Sequence, residues 1–285
     1  MRPRRAVRFA AADETHWGAR VNSLQPDKQL IGMIHLLPLP GAPRHHVAMS
    51  EIEARAVSEA CILHETGFDA CIVENFGDAP FHKDAVQPVT IAAMARVVAA
   101  VRREVSGLRV GVNVLRNDAG AALAVATAVD AHFIRVNVHV GVTATDQGVI
   151  EGRAADTVRA RRAYDAPIQV WADVHVKHGR SVSHLSIADE ASDAVERGLA
   201  DAIIVTGTGT GRPADTTHVQ TVSRLHLGVP IYVGSGVTAQ NAAATLNLCD
   251  GVIVGSALKV DGRAENVLDP NRTRQFADAA RRVAR

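Results

Sequence analysis

The stretch IQVWADVHVKH, residues 168–178, splits into two faces when read as a strand. Ile168, Val170, Ala172, Val174 and Val176 form one face, and Gln169, Trp171, Asp173, His175 and Lys177 the other. Alternate residues of a strand point to opposite sides, so an apolar side must meet a hydrophobic layer while the charged side faces a shared interior. FIRVNVH (133–139) divides in the same way, with Ile134, Val136 and Val138 opposing Arg135, Asn137 and His139. In RVGVNVL (109–115), Val110, Val112 and Val114 oppose Gly111 and Asn113.

Outward from these runs, five more β-branched stretches appear: LIGMIHL (30–36), DACIVE (69–74), AIIVTG (202–207), IYVGSG (231–236) and GVIVGS (251–256). Ala-rich amphipathic stretches near 50–66, 88–105, 119–130, 153–164, 187–198, 215–226, 239–247 and 271–284 separate or follow them. Eight β–α pairs predict an α/β fold, a single (β/α)8 TIM barrel over residues 29–285. A doubly wound sheet would not need eight such regular units. Residues 1–28 show no periodicity and read as an extension or partner arm.

Composition narrows the classes of function. The chain has 285 residues, 47% hydrophobic and 21% charged, as in an ordinary globular protein. Its 31 Lys+Arg against 30 Asp+Glu leave a formal charge of +1, so no global field gathers nucleic acid or an anionic membrane. The three cysteines, Cys61, Cys71 and Cys249, form no C-x-x-C pair and read as core residues in a reducing compartment. With no signal-peptide pattern and no apolar run of membrane-spanning length, a cytoplasmic protein without a membrane span is expected, as a homo-oligomer.

The polar face carries the chemistry. Parity places His35, Glu74, Asn113, Arg135, Asn137, His139, Asp173, His175, Lys177 and Thr206 in one barrel mouth, at the strand ends where barrel enzymes build their sites. A satisfied structural cluster is the plainer alternative for any one of them. After the seventh and eighth strands lie Gly234, Ser235, Gly236 and then Gly255, Ser256, the usual position of a barrel phosphate site, where glycine lets backbone N–H groups reach an anion. TGTGTGR (206–212) adds Gly207 and Thr208 as a further cradle or a mobile cover.

The stretches IGMIHLLPLPGAPRH (31–45), VENFGDAPF (73–81), IRVNVHVG (134–141), ADVHVKH (172–178) and VGSGVT (233–238) resemble the BtpA/SgcQ family, from about residue 30 to 260. The resemblance implies a phosphate-binding TIM-type barrel and carries a name tied to photosystem I biogenesis in cyanobacteria. Other relatives sit beside sugar-use genes or carry nucleoside-processing labels, which suits a phosphosugar or nucleotide ligand. The Arg-rich amino-terminal stretch lies outside the family pattern.

No nucleophile elbow and no early G-x-G-x-x-G occurs, so acyl transfer and nicotinamide chemistry lack support, and no flavin or haem is expected. Asp173, Glu74 and His175 can ligate a divalent cation, for which Mg²⁺ is the expected choice. The leading expectation is an enzyme that forms or cleaves a sugar–base C–N glycosidic bond. Asp173, His175, Lys177, Glu74, Asn137 and His35 would be catalytic, with Asn113, Arg135, His139 and Thr206 holding substrate. A phosphosugar aldolase or isomerase using Lys177 as amine or His175 as proton shuttle is the alternative, and a non-catalytic assembly factor the second.

Overall fold

The computed structural model describes residues 28–182, 186–207 and 214–281. In chain order its main elements are β1 (Gln29–His35), α1 (Met49–Glu65), β2 (Ala70–Glu74), α2 (Pro88–Glu104), β3 (Arg109–Asn113), α3 (Ala119–Ala128) and β4 (Phe133–Val136). They continue as β5 (Val142–Thr145), β6 (Gly148–Glu151), α4 (Ala154–Ala163), β7 (Gln169–Val174), β8 (Gly179–Ser181), α5 (Ile187–Ser192), β9 (Ala202–Val205) and α6 (Thr216–Ser223). The chain then forms β10 (Ile231–Val233), α7 (Ala242–Leu246), β11 (Gly251–Val254) and α8 (Pro270–Arg281).

Eight parallel strands close on themselves in the order β1, β2, β3, β4, β7, β9, β10, β11. Closure is made where β1 pairs with β2 on one side (Ile31 opposite Ala70) and with β11 on the other (Gln29 opposite Gly251). The expected (β/α)8 barrel is therefore the observed fold. Helix starts follow the local chemistry. Pro88 opens α2, Asp118 accepts from the Ala121 N–H at 2.8 Å at the head of α3, and Ser186 with Asp189 makes a reciprocal cap on α5.

Strand parity sorts the interior into two regions. Leu30, Ile34, Cys71, Val73, Val110, Val112, Ile134, Val170, Ala172, Ile203 and Val205 pack against the helices. Ile31, Met33, Ile72, Phe133, Trp171, Ile204, Tyr232 and Ile253 fill the lumen floor. There Phe133, Trp171 and Tyr232 stack in series, with centroids 3.7 and 4.5 Å apart. Gly111 makes the room, since a Cβ on it would stand 2.1 Å from the Phe133 ring.

The amino-terminal end of the barrel is fastened by a repeated device. Asp69, Asp201 and Asp250, each just before a strand, accept from the N–H groups of Leu30, Val170 and Ile231 on the neighbouring strand at 2.7–2.8 Å. These carboxylates serve stability at the face away from the mouth. At the mouth, β5 and β6 form a hairpin that pairs with β8 into a three-stranded antiparallel sheet. The sequence reading treats 140–152 as a connecting loop, and this small sheet corrects it. Among the described residues no helix is long and apolar enough to cross a membrane. Residues 1–27 of the expected extension lie outside the described residues.

Candidate active site

Directly above the aromatic floor sits a tier of charged and amide groups. Arg135, on β4, points both Nε and one Nη at the two carboxylate oxygens of Asp173 on β7, at 2.9 Å each. Asn137 donates to Asp173 as well, at 2.8 Å. Both side chains of the pair are essentially without solvent contact, at 1% and 0% exposure. Burial alone would lower the Arg135 pKa, but the Asp173 charge and hydrogen bonds, helped by Glu74, hold it above the usual guanidinium value. Asp173 thus neutralises Arg135, not Lys177, and its oxygens are already occupied.

A cavity of about 590 Å³ opens above this tier, lined among others by His35, Glu74, Arg116, Lys177 and the loops after β10 and β11. Glu74 accepts from Asn113 at 2.6 Å and lies 3.7 Å from His35 Nε2. His35 Nδ1 stands 2.8 Å from the Ala264 carbonyl, so it must carry the proton and leave Nε2 as an acceptor on the cavity side. Burial, with the charge of Lys259 next, pushes the His35 pKa down to about 3, which keeps the ring neutral. Phe76 stacks on it at 4.4 Å.

Lys177 lies three residues past the end of β7, partly exposed at the cavity wall. Desolvation pushes its amine down to about 8, helped by the Arg135 and Arg116 charges, while Glu74 and Asp173 act in the opposite sense. Arg116, just after β3, is 6% exposed and donates one Nη to the Lys177 carbonyl at 2.6 Å.

Across the cavity, the loops after β10 and β11 present backbone donors. Among the described residues, the N–H groups of Gly236, Val237, Gly255, Ser256 and Ala257 have no acceptor. Gly236 adopts φ 67°, a left-handed conformation that suits glycine. Behind the second loop, Lys259 is fully buried with its Nζ on Glu59 at 2.6 Å, which fixes the turn that displays Ser256 and Ala257. Ser235 joins the loops after β9 and β10 by accepting from the Gly207 N–H at 2.5 Å.

Not every expected residue arrives here. His175 has φ 49°, which ends the strand alternation and turns its ring out of the mouth toward Glu190 (3.6 Å) and His218 (5.3 Å between centroids). The His139 ring meets the Gly198 carbonyl at 2.8 Å and is not part of the cavity wall. Thr206 donates to the His175 carbonyl at 3.0 Å, and Asn113 reaches the site only through Glu74. The N–H groups of Gly234 and Gly207 are engaged, by Val205 and by Ser235. Thr208 lies outside the described residues.

The expected Mg²⁺ trio is not assembled: Asp173 is held by Arg135 and His175 faces away. Among the described residues no cluster of three His, Cys, Asp or Glu could hold a metal. Sequence reasoning missed Arg116, Phe76, Phe81, His178 and Asp146 of the cavity wall. Arg116 lies three residues past β3 and shares the parity of Val110, Val112 and Val114, so strand alternation would have placed it against the helices; Asp146 arrives on the hairpin, which the strand pattern did not include.

The BtpA family model matches residues 26–282 of this chain. The photosystem I biogenesis protein BtpA of Synechocystis sp. is 42% identical over 257 residues, covering 90% of this chain and 89% of that protein. An uncharacterized protein of Methanocaldococcus jannaschii is 43% identical over 256 residues, covering 90% and 96%. Among solved structures, N-(5'-phosphoribosyl)anthranilate isomerase of Pyrococcus furiosus superposes with a TM-score of 0.54 at 13% identity, over 90% of this chain and 100% of that one. A 3-keto-L-gulonate-6-phosphate decarboxylase of Vibrio cholerae does so with a TM-score of 0.54 at 13% identity, over 90% and 97%. At such identities these two structures speak to the fold alone. The sequence relationships go further: the chain belongs to the BtpA family.

Proposed function

We propose that this protein is an enzyme acting on a phosphorylated sugar-like carbonyl compound, in an aldolase or isomerase type of reaction with Lys177 as the reacting amine. The observation that carries the reading is one cavity holding both a lysine amine with a lowered pKa and a rim of unengaged backbone N–H groups. Such N–H groups, at the loops after the last two barrel strands, suit a phosphate. A desolvated lysine beside other cations is the kind that attacks a carbonyl as a free amine.

The roles follow from the geometry. The phosphate sits on Gly236, Val237 and the Gly255–Ala257 turn, which directs the carbonyl end toward Lys177. The Lys177 amine adds to the carbonyl carbon and water leaves, giving an iminium that withdraws electrons from the neighbouring C–H or C–C bond. Glu74 takes or returns the proton, and the His35 Nε2 lone pair accepts from a substrate hydroxyl. The isomerase and the decarboxylase with the same fold are both named for phosphorylated compounds, which accords with this reading.

The glycosidic reading assigned the carbon-stabilising carboxylate to Asp173. Because that carboxylate is locked to Arg135, the geometry favours the amine chemistry instead. The test is borohydride reduction of the protein with a panel of phosphosugars, followed by peptide mass analysis. A reduced adduct on the peptide containing Lys177, absent from Lys177→Met, is the expected result. Turnover of a phosphosugar with no adduct at Lys177 removes the amine from the mechanism.

A further inference from the structure

The barrel order places β3 four strands from β10 and three from β11, so the turn after β3 faces the two N–H-bearing loops across the mouth. That turn carries Arg116, whose side chain lines the cavity at 6% exposure. Its Nε is buried with no hydrogen-bond partner, and one Nη reaches only a neutral acceptor, the Lys177 carbonyl. Among the described residues no carboxylate lies within 4.0 Å of the guanidinium. The carboxylates around it have other work: Asp173 is bound by Arg135 and Asn137, Glu74 by Asn113, and Asp146 by its neighbour Gln147.

A buried guanidinium without a counter-ion is costly, because its lost hydration is not replaced. Among the described residues the other buried cations follow that rule, Arg135 with Asp173, Lys259 with Glu59 and Arg161 with Asp201. Arg116 departs from it, with an unpartnered N–H in a side chain that lines a ligand-sized cavity. Its planar fork is suited to the oxygens of a carboxylate or a phosphate. We infer that Arg116 forms a second anion subsite, so that the ligand carries two anionic groups, a phosphate on the β10 and β11 loops and a carboxylate or second phosphate at its opposite end. This rests on the phosphate reading given above and adds the class of substrate: a phosphorylated sugar acid or a sugar bisphosphate, spanning the mouth with its reactive carbon beside Lys177.

Calorimetric titration of matched probes tests it. 6-Phosphogluconate is compared with glucose 6-phosphate, which lacks the carboxylate, and fructose 1,6-bisphosphate with fructose 6-phosphate, which lacks the second phosphate. The member of at least one pair that carries two anionic groups is expected to bind the wild type about tenfold more tightly or better, as for hydrogen bonds to charged groups. The pair showing the preference identifies carboxylate or phosphate as the second group.

In Arg116→Gln that preference is expected to vanish while the monophosphates keep their affinity within about twofold. Arg116→Met, which keeps an apolar stem, serves should the Gln variant not melt cooperatively. Phosphate-dependent binding with equal affinities within both pairs overturns the second subsite and leaves the phosphate loops standing. A preference that survives both substitutions also overturns it. If no probe binds more tightly than gluconate, glucose or fructose, the phosphate reading fails, and this inference fails with it.

Discussion

Asp173 and Lys177 stand four residues apart at the end of one strand and behave oppositely. Asp173 is a structural counter-ion. Replacing it by Asn leaves Arg135 charged and unpaired in a dry interior, so Asp173→Asn is expected to lose about 3–5 kcal/mol of stability. A clearly lowered thermal midpoint checks this; an unchanged midpoint with lost turnover would return Asp173 to the chemistry.

Lys177 gives a pH signature with a definite sign. Its amine is pushed down from 10.5 to about 8, and addition to a carbonyl needs the unprotonated form. The rate at limiting substrate is therefore expected to rise with pH and level off above about 8; a rate that falls through the same range would mean the ammonium is the working form. The same depression makes the unfolded chain bind more protons between about 8 and 10.5, so this group's penalty on the fold is greatest below 8 and fades as pH rises through that window. At this scale strand alternation was readable in the sequence through residue 174. It failed at His175, because nothing in a one-letter string announces the φ of 49° that turns the chain there.

At the scale of elements, the eight barrel strands were legible because strands buried on both faces become near-continuous β-branched runs. Helices such as α2 and α8 were legible because they carry an apolar stripe toward those runs, whereas α3 is apolar all round and α4 buries Thr157 and Arg161. The β5–β6 hairpin and β8 were not, since strands of three or four residues with one exposed face give little pattern. One signal was present: Gly148, at φ 99°, closes the turn over Asp146 and Gln147.

The hairpin is attached through a small cluster of its own, Ile150 with Val138 and Val176, separate from the main core. Ile150→Ala is expected to cost about 2–4 kcal/mol locally. Hydrogen exchange should then show faster amides across 142–151, with those of β1 and β2 unchanged. Uniformly faster exchange over the barrel would show the hairpin to be part of the global core.

For the molecule as a whole, the sequence reading located the mouth and both phosphate-loop candidates because barrels put their variable chemistry at one end. It could not tell which polar residues there were already paired. Arg135 and Asp173 look as reactive in a string as Lys177 and Glu74, and only the three-dimensional pairing separates them. The charge arrangement that results has a cationic and N–H-rich wall around a neutral imidazole and one carboxylate. That arrangement is the ground for the anionic ligand proposed above.

The central claim is that the cavity holds phosphate on the loops after β10 and β11. The most direct measurement is the affinity of one sugar, phosphorylated and dephosphorylated, for the wild type and for Gly236→Ala. Alanine at the left-handed Gly236 carries a strain of about 1–2 kcal/mol, small enough to fold, and relaxing it swings the Gly236 N–H away from the cavity. The account predicts that the wild type prefers the phosphorylated form and that the variant loses most of that preference, with its affinity for the dephosphorylated sugar little changed. Equal binding of the two forms by the wild type, or equal weakening of both by the variant, would contradict it.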